Sequence, residues 1–207
     1  MLDRWLPLIA RVSNDFRTDA ARAVFDDLFA RYTSADRRYH DFRHVADCLR
    51  LLDSARGLAR GADAIELAIW FHDAIYDSRR SDNEEASARL AVDSLAGLDV
   101  PASMTQAVHE LVLATRHNAP PADPDAALLI DIDLSILGQP APVFDEYEAG
   151  IRFEYAWVSE PEFQAGRSKV LRSFLDRPRI YCTDYFRDAF ESAARENVAR
   201  SLAKLSD

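Results

Sequence analysis

Lysine occurs only twice in the 207 residues, at Lys169 and Lys204, and cysteine only twice, at Cys48 and Cys182. Two distant cysteines without a Cys-x-x-Cys pair provide neither a disulfide framework nor a cysteine zinc site, so both are expected to be small buried apolar side chains. Positive charge is short as well: 25 lysines and arginines face 35 acids, for a formal net charge of -10. Holding an extended nucleic-acid backbone needs a basic stripe, and that role is not expected here. Apolar runs never approach the roughly 20 residues that span a bilayer, and the chain does not open with a basic stretch followed by an apolar one. Neither a membrane location nor a secretory leader is expected; the cytoplasm is the expected compartment. Glycine (6) and proline (9) are sparse, and the periodic segments between them are too long for strands.

What is there is an all-α pattern, read as one helical domain with a core over about 18–140 and a helical extension over about 141–207. Thr18 is placed to cap a helix reaching about Tyr32, in which Ala21, Val24, Phe25, Leu28, Phe29 and Tyr32 share one face. A second helix is predicted over about 43–56, stopped by Gly57. The stretch from Ala64 to Tyr76 is apolar nearly all round and reads as a central, buried helix. Ser81 and Asp82 open the next segment, Pro101 opens another that continues to about His117, and a further one runs over about 125–137 until Gly138. Helices over about 143–158, 161–175 and 183–205 complete the pattern.

The pair His72-Asp73 falls within the apolar segment. A buried carboxylate costs several kcal/mol unless it is paired or bound to metal. The pair is therefore either a core histidine on a backbone carbonyl beside an arginine-paired acid, or part of a metal site. In Leu128-Leu-Ile-Asp-Ile-Asp-Leu-Ser-Ile-Leu137, two residues on a helix mean roughly 200° of rotation, so Asp131 and Asp133 cannot face one site equally. Asp133 has Leu129, Ile130, Ile136 and Leu137 at its helical neighbour positions and has the greater need of a cation. Asp131 is expected to lie in solvent, to support a ligand from behind, or to serve as an alternative ligand. His40 and His44 stand four residues apart, the spacing of a zinc peptidase, although Asp41 replaces the glutamate of that motif and no third-ligand motif follows.

In chain order His44, then His72-Asp73, then Asp133 resembles the H…HD…D signature of the HD superfamily of metal-dependent phosphohydrolases. The resemblance extends over nearly the whole chain. Tyr39-His-Asp-Phe-Arg-His44, Phe71-His-Asp-Ala-Ile-Tyr-Asp77, Asn83-Glu-Glu-Ala-Ser-Ala88, Ala114-Thr-Arg-His-Asn118, Asp131-Ile-Asp-Leu-Ser-Ile-Leu-Gly138, Glu154-Tyr-Ala-Trp-Val158, Gly166-Arg167 and Arg177-Pro-Arg-Ile-Tyr181 are similar to runs of a bacterial subfamily described as predicted HD-type phosphohydrolases.

The resemblance implies a helical bundle in which His44, His72, Asp73 and Asp133 hold a divalent ion. Two imidazoles and two carboxylates suit manganese, iron, cobalt, nickel, zinc or magnesium. It further implies cleavage of a small phosphate ester, a nucleotide first among candidates, by a metal-activated water, with Asp73 in the catalytic group. Some HD hydrolases carry a glutamate one turn after the HD pair; here Tyr76 stands in that place. Glu84 and Glu85 are the next candidates for general acid or base, or else favourable charges in a first helical turn. His117 is a candidate for binding phosphate or relaying a proton, or else a helix-dipole partner. Arg43, Arg116, Arg167, Lys169 and Arg179 are candidates for a phosphate clamp. Tyr76 also supports an alternative, a non-catalytic metal- or nucleotide-binding sensor or interaction module. The expected partner is a small phosphorylated substrate, and a homodimer is left open.

Overall fold

The computed structural model describes residues 1–117, 121 and 123–205. The all-α class is observed: the described residues form α1 (Leu2–Val12), α2 (Thr18–Tyr32), α3 (Phe42–Ala55), α4 (Ala62–Phe71), α5 (Asn83–Gly97), α6 (Ala102–Ala114), α7 (Pro124–Asp133), α8 (Ala141–Glu154), α9 (Glu160–Leu175) and α10 (Asp184–Lys204), with short 3-10 segments over Arg56–Leu58 and Leu134–Gly138 and no strand. Among these residues no single helix is long and apolar enough to cross a membrane. The chain divides into two compact units, Met1–Leu129 and Ile130–Asp207, with the division inside α7.

Several boundaries differ from the periodicity, each for a local reason. Thr18 is the first residue of α2 rather than its cap, and Arg17 occupies the cap position with no side-chain bond. Gly57 lies within a 3-10 turn and not in the left-handed stop expected of it. The helix α6 ends at Ala114, three residues short of His117, whose φ of 56° is left-handed. Helix α1 was not anticipated at all; Pro7 lies inside it, yet Trp5, Leu8 and Ile9 are buried.

In the first unit, α4 is the central element because every residue from Ala64 to Phe71 is buried. Trp70 collects an aromatic cluster, edge-on to Trp5 at 5.5 Å and to Phe25 at 6.0 Å, with Phe42 at 6.1 Å. Full burial of such side chains is worth about 1.5–3 kcal/mol each. One acid enters this apolar surface. Glu66 is 3% exposed and accepts from Arg4 at 2.7 Å and Arg56 at 2.9 Å. Around it Arg4 also pairs with Asp53, and Asp63 pairs with Arg11 at 2.8 Å and Arg56 at 3.0 Å.

In the second unit α10 is the organising helix. Asp131 is fully buried and its carboxylate accepts three bonds of 2.7 Å, from the Cys182 N–H, the Thr183 N–H and the Thr183 hydroxyl. The N-terminus of α10 is thus fastened by a side chain 51 residues upstream. At Gly138 a Cβ would come within 2.6 Å of the Phe190 Cβ and 2.7 Å of its carbonyl oxygen, so the 3-10 segment meets α10 backbone to backbone. Asn197 reinforces that approach by donating to the Leu137 and Gln139 carbonyls at 2.9 and 2.8 Å. Of the two cysteines, Cys48 is buried as expected, whereas Cys182 is exposed because it lies in the turn leading into α10.

Candidate metal centre

His44 is delivered by the start of α3. Asp41 caps that helix, accepting from the Arg43 N–H at 2.8 Å and the His44 N–H at 3.4 Å, which fixes the first turn and turns the His44 ring inward. The ring is buried, with the Cys48 sulfur one turn on at 3.8 Å from Nδ1. His40 lies ahead of the helix, and its ring stacks on Tyr76 at 4.0 Å. His40 and His44 therefore do not share a helical face, which removes the geometry on which the zinc-peptidase spacing depends.

His72 and Asp73 stand at the end of α4, not inside a longer helix as the apolar run predicts. His72 is the C-cap, with its N–H on the Ala68 carbonyl at 2.8 Å. Its Nδ1 is 2.9 Å from the Ile69 carbonyl oxygen. A carbonyl can only accept, so Nδ1 carries the proton and Nε2 presents a lone pair. This is the way protein metal sites orient an imidazole ligand. That Nε2 is 3.0 Å from Nε2 of His44, and Oδ2 of Asp73 is 3.1 Å from the first and 3.8 Å from the second. Donors about 2.1 Å from one ion and at right angles to each other are separated by about 3.0 Å, which matches the imidazole pair and the His72–Asp73 pair. The two histidines and Asp73 make a His/His/Asp group that could hold a metal ion.

Three side chains hold the turn that carries Asp73. The Tyr32 hydroxyl donates to the Trp70 carbonyl and accepts from the Asp73 N–H, both at 3.2 Å. Arg37 donates to the carbonyls of Asp73 at 2.6 Å and Ala74 at 3.0 Å. Ser87 exchanges both bonds with the main chain of Ile75, at 3.0 and 3.2 Å. Farther on, Asn83 makes the same reciprocal pair with the main chain of Asp77, at 3.1 and 3.0 Å. Sequence reading missed all three holding residues. Tyr32 read as core, and nothing local marks Arg37 or Ser87.

Glu84 and Glu85 open α5 and are half-buried. Burial raises the Glu84 carboxyl above its usual range, with the negative charges of Asp73 and Glu85 acting in the same sense and Arg116 against them. Glu85 pairs with Arg116 at 2.5 Å. His117 follows directly and is half-buried. Asp133, the last residue of α7, is half-buried and belongs to the second unit. Asp131, far from lying in solvent, is committed to the start of α10; burial raises its carboxyl above the ordinary range against the opposing effect of its three donors.

The remaining clamp candidates are scattered. Arg43 is exposed and pairs with Asp41 at 2.9 Å. Arg167 is buried in the second unit, where its guanidinium donates to the Tyr147 hydroxyl at 2.7 Å and pairs with Glu148, so it serves packing rather than presenting a clamp. Lys169 lines an open groove on α9 with Gln164, Arg172 and Asp176, and Arg179 is exposed. No protein-family model matches the chain, and no curated protein or solved structure matches it.

Proposed function

We propose that the chain is a metal-dependent phosphohydrolase of the HD type, acting on a small phosphate ester such as a nucleotide. The observation that carries this reading is the convergence of two imidazole Nε2 atoms at 3.0 Å with the Asp73 carboxylate beside them. The Nε2 lone pair of His72 and the Asp73 carboxylate stand side by side, and with His44 Nε2 turned to the same point a divalent cation would be held by all three. Asp133 is proposed as the second carboxylate because its place in the chain order, after His44 and His72-Asp73, matches the signature that the sequence resembles. His44, His72, Asp73 and Asp133 would hold a divalent ion, whose chemistry would be to lower the pKa of a bound water and polarise a phosphoryl oxygen.

In this reading Glu84 is the proton donor or acceptor, supported by its electrostatic coupling to Asp73 and its raised carboxyl. Arg116, held by Glu85, supplies positive charge for the phosphate. The test uses purified protein equilibrated with manganese, nickel or zinc, followed by metal analysis and a panel of nucleotides and simple phosphate esters. Stoichiometric metal with metal-dependent phosphate release is the expected result. Protein that retains no ion sinks the proposal. A second reading, a metal-binding sensor without turnover, draws on Tyr76, which stacks on His40 where a glutamate would otherwise serve chemistry. Stoichiometric metal without phosphate release from any ester would favour it.

A further inference from the structure

Arg37 lies between α2 and α3 and is only 9% exposed. A buried guanidinium is ordinarily paired with a carboxylate, because an uncompensated charge is expensive to desolvate. Among the described residues Arg37 has no such pair. Its donors go instead to three main-chain carbonyls: His40 at 3.1 Å, Asp73 at 2.6 Å and Ala74 at 3.0 Å. Its flat faces are covered by aromatic rings, with the guanidinium carbon 5.1 Å from the Tyr32 ring centre and 5.7 Å from that of Tyr76.

A positive charge in this place does nothing to attract a divalent cation, so its value must be geometric. A planar fork can reach two successive carbonyls at once, which a lysine ammonium on a flexible stem does not do. Asp73 is consequently gripped on both sides of its Cα. Its N–H is on the Tyr32 hydroxyl and its carbonyl is on Arg37. With the main chain fixed at both peptide groups, the side chain leaves in one direction, toward Nε2 of His72 at 3.1 Å.

We infer that Arg37 and Tyr32 are positioning residues of the metal centre, clamping the Asp73 main chain so that its carboxylate meets the two imidazoles. This inference rests on the metal-centre reading above, and cobalt(II) alone serves as the probe. Supporting groups behind metal ligands typically contribute about tenfold to a hundredfold in affinity. Arg37→Met and Arg37→Lys are both expected to weaken cobalt(II) binding by about that factor and to change its visible d–d bands, with metal-free helicity close to wild type and a lowered melting temperature. The charge-preserving lysine should not restore the wild-type spectrum, because what is lost is the fork.

Wild-type affinity and bands in both Arg37 variants would overturn the inference while leaving the metal centre standing. Failure of the unmutated protein to take up cobalt(II) would instead remove the metal centre itself, and the inference with it. Should both Arg37 variants unfold, Tyr32→Phe decides. It deletes only the hydroxyl, and unchanged affinity and bands there would likewise overturn the proposal.

Discussion

The two ends of α4 carry acids in opposite circumstances. Near its start, Glu66 is surrounded by donors: the guanidiniums of Arg4 and Arg56 bring protons to both carboxylate oxygens. At its end, the Asp73 carboxylate is set beside Nε2 atoms of two imidazoles, one of which has its proton directed away to the Ile69 carbonyl. Charge balance at the first end is complete within the chain, so that acid serves stability. At the second end the carboxylate stands beside the Nε2 lone pair of His72, and a cation would stabilise that pairing. One helix thus shows that burial of an acid does not announce a site; the polarity of the atoms around it does.

The largest effect expected from breaking this contrast is at the second end. His72→Ala combined with Asp73→Ala should abolish stoichiometric metal, a loss of at least about a hundredfold in affinity, while circular dichroism remains helical. Metal analysis after dialysis checks it. At the first end, Glu66→Ala should leave metal binding intact and cost about 3 kcal/mol in urea unfolding, the low end of the range for broken buried pairs because Arg4 and Arg56 can turn to water.

Asp131→Ala, in the second unit, should behave like the Glu66 variant rather than the ligand variant, with about 1–2 kcal/mol lost as the start of α10 gives up its acceptor. Loss of metal there would erase the distinction between saturated and coordinating acids. The smallest effect concerns pH. Arg11 holds the Asp63 carboxyl below its usual range, so Asp63 contributes stability that is present above the ordinary aspartate value of about 4 and is lost as pH falls through its lowered folded value. Unfolding curves of Asp63→Asn should show a shallower acid decline than wild type.

Much of this was legible in the sequence. The helical class follows from three- and four-residue spacing, and the approximate extent of α2, α5, α9 and α10 follows with it. The His72-Asp73 pair stands out in the sequence because an acid interrupts an apolar run. What the sequence could not disclose was the stop at Phe71. The segment beyond it contains no glycine or proline before Tyr76; the Trp70 carbonyl is instead taken by Tyr32, a residue 38 positions earlier. The same holds for Asp131. Its roughly 200° separation from Asp133 was readable from the helix repeat, but the peptide groups that occupy it come from Cys182 and Thr183. Local periodicity reports faces, and partners fixed by tertiary folding report only in space.

The reciprocal bonds of Ser87 with Ile75 and of Asn83 with Asp77 have a further consequence. In a protein without strands among its described residues, they act as two rungs of a ladder built by side chains. Residues 78–82 hang from the second rung as a closed loop, tied off before the chain reaches Asp73 on one side or the body of α5 on the other. Doubling the length of such a loop costs only about 0.6 kcal/mol in closure entropy. Insertions here would be absorbed outside the rungs, without re-aiming the carboxylate.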